Sequence, residues 1–240
     1  MSIKDVLVGS TPAQRLYRGE NLLWDRQSED VRFWFSGEDA PIGTTIYERV
    51  QNLEYTKSKT VSYDSTNKMY LFRDGSYRTK SSEIQKYDFG NHWKLYFDIE
   101  IPTRKNNSKY FLDFGSVIEA KHAFGFKITL QESATKVGVN WKLTGNSSNP
   151  GIGLLDHSYI PKNESNYERL IGYFSIVDGG DGYDRLEVSI NNVVNRYDVK
   201  IPQTSYSPYW NRPEFVIGGA VTESYSAYSN IHELKMVRLD

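Results

Sequence analysis

The sequence predicts an all-β protein: an antiparallel two-sheet sandwich preceded by a small N-terminal β-meander. Three observations predict it. Candidate strands follow one another at short intervals, each bounded by Gly, Asn, Asp, Ser or Pro clusters. Many of them alternate apolar and polar residues with period two, as half-buried strands do. From residue 30 onward no stretch carries a convincing helical pattern. At 240 residues, with 38% apolar and 25% charged residues, one large sandwich can bury a sizeable core.

Residues 1–26 read as a separate unit, and 27–240 as the sandwich. The stretch from Val6 to Asp25 contains three short β-runs, punctuated by Gly9-Ser-Thr-Pro12 and Arg18-Gly-Glu-Asn21. A meander this small cannot stand alone and must dock on something larger. The expected strands that follow are Val31–Phe35, Val50–Tyr55, Thr60–Tyr63, Lys68–Arg73, His92–Ile101, Tyr110–Phe114, Ala123–Gln131 and Val137–Lys142. After them come Leu170–Val177, Leu186–Ile190, Asn195–Lys200, Phe215–Ile217 and Ile231–Leu239. The long breaks fall at Gly37–Thr44, Pro102–Ser108, Thr144–Asn166 and Pro202–Pro213, and Gly151-Ile-Gly153 reads as a turn.

Alternation assigns faces. Trp93, Leu95, Phe97, Ile99 and Ile101 fall on the core side, and Lys94, Tyr96, Asp98 and Glu100 on the other. The same test sends Phe124, Phe126, Ile128, Leu130, Val137, Val139, Trp141 and Leu143 inward. It also buries Leu170, Phe174 and Ile176 while turning Tyr173 outward. Trp34, between Phe33 and Phe35, is the strand tryptophan expected to look outward.

Phe215-Val-Ile-Gly-Gly219 and the closing strand to Leu239, preceded by Leu186–Val199, resemble the end of a concanavalin A-like (laminin-G-like) jelly roll. That resemblance implies a carbohydrate-binding fold, with sugar-binding loops or a groove. Leu16-Tyr-Arg-Gly-Glu-Asn-Leu-Leu-Trp24 resembles a short β-module of structural proteins from tailed phages of Gram-positive hosts. It implies a virion component (tail, baseplate or neck) that helps adhesion to cell-wall polysaccharide, with residues 1–26 contacting other virion proteins. The expected location is the phage particle, with synthesis in the host cytoplasm, because Met1-Ser-Ile-Lys-Asp5 lacks the apolar core of a signal peptide.

Charge and composition narrow the partners. The net charge of -1 points to no nucleic acid, and no apolar run is long enough for a membrane helix. Lys57, Lys59, Lys68, Arg73, Arg78 and Lys80 are locally basic but fit a solvated sheet face. A homo-oligomer is compatible with the sequence. With no cysteine there is neither a disulfide framework nor a thiolate metal site.

Four scattered histidines (His92, His122, His157, His232) have no zinc-type spacing, and no nucleophile elbow or phosphate loop occurs. Asp98 and Glu100 stand two residues apart on one strand face, about 6.5–7 Å, near the separation of a glycosidase pair. Jelly-roll glycosidases use Glu-x-Asp-x-x-Glu, however, and here Tyr96 stands at the first position, so the full acidic set is missing. No catalytic residue is therefore assigned.

Binding residues are expected on loops. Tyr206, Tyr209, Trp210, Asn211 and Arg212, with Tyr225 and Tyr228, combine aromatic planes with hydrogen-bonding groups, the combination a saccharide needs. Tyr183 and Trp34 join this set, and His157 and Tyr159 are weaker members. Asp178-Gly-Gly-Asp-Gly-Tyr-Asp184 reads first as a hairpin turn. Its Asp178, Asp181 and Asp184 could alternatively offer oxygen ligands to calcium. No other cofactor is implied.

Overall fold

A computed structural model describes residues 7–8, 11–12, 15–18, 21–25, 30–58, 60–73, 75–79, 92–102, 110–116, 127–133, 136–142, 152–160, 167–202, 215–218 and 228–239. Every regular element among them is a strand. At the N-terminus β1 (Leu7–Val8) pairs with β2 (Thr11–Pro12), and β3 (Arg15–Arg18) with β4 (Asn21–Asp25). The expected N-terminal β-structure is thus divided into two antiparallel pairs.

The remaining strands form two antiparallel sheets. The first runs in the order β18 (Val193–Pro202), β17 (Tyr183–Ile190), β16 (Tyr167–Asp178), β11 (Trp93–Pro102), β20 (Tyr228–Arg238), β9 (Met69–Arg73) and β8 (Val61–Asp64). Strand β5 (Asp30–Ser36) also pairs with β20. The second sheet runs β15 (Ile152–Asp156), β14 (Lys136–Lys142), β13 (Lys127–Ser133), β12 (Tyr110–Ser116), β19 (Phe215–Gly218), β10 (Ser76–Thr79), β7 (Glu54–Ser58) and β6 (Thr45–Tyr47). The last strands of the described chain divide between the sheets, β19 in one and β20 in the other.

The core forms where the alternation said it would. Trp93, Leu95, Ile99 and Ile101 are fully buried, and so are Leu170, Phe174, Ile176, Leu130, Val137 and Val139. At about 1.5–3 kcal/mol for each large apolar side chain removed from water, this layer drives the stacking of the sheets. Rings stitch the sheets together: Phe33 meets Phe114 edge-on at 5.1 Å, and Tyr70 meets Tyr77 at 5.6 Å. The side chains of Phe124, Phe126, Ile128, Trp141 and Leu143 lie outside the described residues.

Three strands escaped the sequence reading. The chain from Thr144 to Asn166 is not a continuous break, because Ile152–Asp156 pairs with β14. Gly153 therefore sits in a strand, opposite Trp141, rather than in a turn. His157 and Tyr159, on the segment just after β15, are buried and packed into the protein. The ring of His157 lies 3.2 Å from the Val188 carbonyl through Nε2, and its Nδ1 accepts the Tyr159 N–H at 3.0 Å. That pattern selects the neutral tautomer with the proton on Nε2. Strands β6 and β10 are short, and each contributes few core residues.

Turn chemistry closes the hairpins. Asn191 and Asn192 link β17 to β18 with φ of 47° and 68°, the left-handed pair of a two-residue hairpin. Gly37 ends β5 against the start of β9. A Cβ there would lie 1.9 Å from the Lys68 carbonyl oxygen, so only glycine permits the approach.

Two outcomes follow. Gly37→Ala should destabilise the fold by about 3 kcal/mol, read from urea unfolding, because backbone must move. Burial holds the His157 pKa below its ordinary value, so the unfolded chain binds this proton more readily. As pH falls below about 6.5, wild type should lose stability relative to His157→Gln, as seen in melting temperatures across pH 7 to 5.

Candidate binding groove

Strand β20 builds the site because it serves two neighbours along one edge. Its Tyr228–Ile231 portion pairs with β9, and its Glu233–Arg238 portion with β5. On the opposite edge its register with β11 slips between Asp98 and Ile99: Glu233 faces Asp98, and Ile231 faces Ile99. His232 is the extra residue of this β-bulge. A bulge re-aims side chains, so both His232 and Glu233 reach the outer face while Ile231 and Leu234 stay buried. The His232 carbonyl accepts the Gly37 N–H at 2.6 Å, where the neighbour changes.

A cavity of about 580 Å³ opens at this junction, within the size range of small-ligand sites. Ser36 and Glu38 line it from the end of β5, and Asn67, Lys68 and Met69 from the turn entering β9. Asp98 and Glu100 come from β11, Arg169 from β16, and His232 and Glu233 from the bulge. The turn is set by Asp64, whose carboxylate accepts the N–H groups of Thr66 and Asn67 and the Asn67 side-chain amide.

The floor is cross-linked. Arg169 grips Asp98 through two hydrogen bonds of 2.7 and 2.6 Å, the bidentate pairing that fixes both side chains. The same contact raises the Arg169 pKa and keeps it charged. Glu100 takes the Asn230 amide at 2.7 Å and lies 3.1 Å from His232 Nε2. Arg73 donates to Asn230 Oδ1 and to the Tyr167 hydroxyl, each at 2.9 Å, and packs against the rings of Tyr167 and Tyr228 at 5.6 and 5.7 Å.

Beside the cavity, one rung across the ladder reads Trp34, Lys235, Tyr96, Tyr173 from β5 through β20 and β11 to β16. Three strand spacings make this row roughly 14 Å long. Tyr96 and Tyr173 meet edge-on at 6.1 Å, with the Lys94 ammonium 4.3 Å from the Tyr173 ring centre and that of Lys235 5.2 Å from Tyr96. The Tyr173 hydroxyl donates to Glu187 at 2.6 Å, and Arg196 holds the other Glu187 oxygen at 2.7 Å. Burial, then that carboxylate, pushes the Tyr173 pKa up to about 12. Burial opposes ionisation of Glu187, but the bonds from Tyr173 and Arg196 outweigh it and hold its pKa below the usual value.

The expected site residues scatter. Trp34 is half-buried on the outer face, and the Arg49 guanidinium covers its ring at 4.7 Å. Asp39 holds that arginine through bonds of 2.7 and 3.0 Å. Tyr228 opens β20 beside Arg73, and Tyr183 is exposed at the start of β17. Tyr206, Tyr209, Trp210, Asn211, Arg212 and Tyr225 lie outside the described residues.

The Gly/Asp segment forms the hairpin turn between β16 and β17. Asp178 accepts the Gly180 N–H, and Asp181 binds the Tyr183 N–H and the Arg185 guanidinium. Asp184 is buried, 2.9 Å from His92 Nε2. Among the described residues no three His, Asp or Glu side chains gather as metal ligands.

Sequence reasoning singled out Asp98, Glu100 and the outward Tyr173, but not Arg169, Lys68, His232 or Glu233 as a group with them. One signal was present. Ile231-His-Glu-Leu234 places two polar residues between core residues, which breaks period two and marks a bulge.

No protein-family model and no curated protein sequence matches the chain. Solved structures do resemble it. Trypanosoma rangeli sialidase in complex with 2,3-difluoro-KDN is similar over 100% of this chain and 35% of its own, at 11% identity and a TM-score of 0.58. A structure on the entry of botulinum neurotoxin type C into cells, dependent on two ganglioside molecules, is similar over 88% of this chain and 49% of its own. Its identity is 12% and its TM-score 0.57. The botulinum neurotoxin serotype D binding domain gives 12% identity and a TM-score of 0.52, over 88% of this chain and 49% of that one. The chain therefore spans about a third to a half of the length of these proteins. At such identities the likeness is one of fold: an all-β, two-sheet sandwich.

In specifically labelled protein, the Tyr173 Cζ resonance should titrate near pH 12 rather than 10. Glu187→Gln should bring the midpoint part of the way back.

Proposed function

We propose that this chain is a non-catalytic carbohydrate-binding domain whose glycan lies across the outer face of the first sheet. One observation carries this reading: a polar cavity adjoins a rung of aromatic side chains on the same face. Sugar rings offer C–H faces to aromatic planes and hydroxyls to carboxylates and amides, and this face supplies both. The sialidase bound to 2,3-difluoro-KDN and the neurotoxin that interacts with gangliosides support a saccharide as the ligand class.

The finer setting rests on the Leu16–Trp24 pattern. We place the domain in a phage virion, as a tail, baseplate or neck component that helps adhesion to cell-wall polysaccharide. Residues 1–26 would contact neighbouring virion proteins. Weak single sites would then add up through many copies on one particle.

Tyr96→Ala and Tyr173→Ala should each weaken binding to purified cell-wall polysaccharide about tenfold in calorimetry, with melting temperature showing that the fold persists. A wild-type chain that stays at background on glycan arrays and cell wall alike would instead be a structural protein.

A second reading has its own observation. Asp98 and Glu233 face each other across β11 and β20, with Glu100 two residues along, so three carboxylates share the groove. Neighbouring cross-strand residues sit about 4.5–5.5 Å apart at Cβ, close enough for two carboxyls to act on one ligand. If the groove cleaves glycan, reducing ends should appear with wild type and vanish with Asp98→Asn and Glu100→Gln.

A further inference from the structure

Resting on the carbohydrate reading, we infer that the groove selects saccharides carrying a protonated amine, such as oligomers of glucosamine, over N-acetylated and acidic ones. The cavity is lined by four carboxylates, Glu38, Asp98, Glu100 and Glu233, against the two fixed cations Lys68 and Arg169. Those cations do not form an anion clamp. Arg169 already gives two N–H donors to Asp98, so the pair is neutral as a unit. Glu100 has both oxygens engaged, one by Asn230 and one by His232.

Glu38 and Glu233 complete the lining from the paired strands β5 and β20, Glu38 just past the end of β5 and Glu233 on the bulge, opposite Ser36. Beyond the lining both act electrostatically on Arg49, which is bidentate on Asp39 and stacked on Trp34. With Asp98 balanced by Arg169, and Lys68 set against Glu38, Glu100 and Glu233, the cavity keeps an excess of negative charge. A carboxylate-bearing sugar entering it would meet like charge with no free guanidinium pair to receive it. An ammonium would meet two carboxylates able to accept its hydrogen bonds while the sugar ring rests on the Tyr96 and Tyr173 rung. The aromatic rung adds no preference for positive charge, because the Lys94 and Lys235 ammoniums already lie against the Tyr173 and Tyr96 rings, so the selectivity comes from the cavity's carboxylates alone.

The test uses the intact chain and three probes of matched length: a glucosamine oligomer, its N-acetylated counterpart and a sialylated oligosaccharide. Titration calorimetry at low salt should show the glucosamine oligomer binding about tenfold tighter than the N-acetylated one, and the sialylated one weakest. Raising the salt should shrink the difference as screening sets in. Glu233→Gln should cut the ratio of the glucosamine to the N-acetylated affinity several-fold. Glu38→Gln, whose position follows β5, provides an independent second variant. Equal affinity for the first two probes, or tightest binding of the sialylated one, overturns the charge selectivity and leaves carbohydrate binding standing. Failure of all three to bind also overturns the charge selectivity, and failure on purified cell wall and glycan arrays as well overturns the carbohydrate reading itself.

Discussion

The first sheet depends on a single strand having more neighbours than an edge ordinarily allows. Strand β20 is bordered by β11 on one side and is shared by β9 and β5 on the other, end to end. Two strands can share one edge only if their ends approach closely where they meet. Gly37 makes that approach possible, since any side chain there would collide with the Lys68 carbonyl. Its N–H then satisfies the His232 carbonyl, so the junction leaves neither of these backbone groups unpaired. The bulge at His232 sits at the same level and takes up the mismatch in register. The cavity is what remains when two strands stop short of merging.

Electrostatics then determines how firmly that opening keeps its shape. Carboxylates lining a cavity repel one another, and a row of them would splay unless other groups intervened. Arg169, Asn230, His232 and Arg73 intervene, tying β11 to β16, β20 and β9. Much of the surface carries partial exposure, so each pair on its own contributes modestly. What the network supplies is position. The aromatic rung is fixed in the same manner, with Glu187 gripping the Tyr173 hydroxyl and Arg196 gripping Glu187.

Much of the sandwich was legible in the residues. The ten-residue run of β11 alternates without a fault, and the structure buries its odd members and turns its even members outward. The hairpin at the Gly/Asp segment announces itself by turn chemistry. Short strands did not. Ile152-Gly-Leu-Leu-Asp156 contains a glycine and too few residues to display a period, so its pairing with β14 is set by tertiary contact. The groove was half visible. Asp98 and Glu100 stood out as a pair, but Arg169 is 71 residues from Asp98 in sequence, and Glu100 and His232 are 132 apart. Only strand pairing brings them together, and no local pattern encodes which strands will pair. Expectation also favoured loops, whereas the cavity lies on the sheet and its junctions.

The position of β20 in the chain has a temporal consequence. It is the final described strand in sequence and yet a central one in its sheet, so β5, β9 and β11 have no partner on that edge until it arrives. During synthesis the earlier strands must wait with open edges, a condition that invites mispairing and slows maturation. The groove, whose walls converge on this strand, is therefore assembled only once β20 has paired with β5, β9 and β11. No nascent or truncated form lacking it can acquire a finished recognition surface.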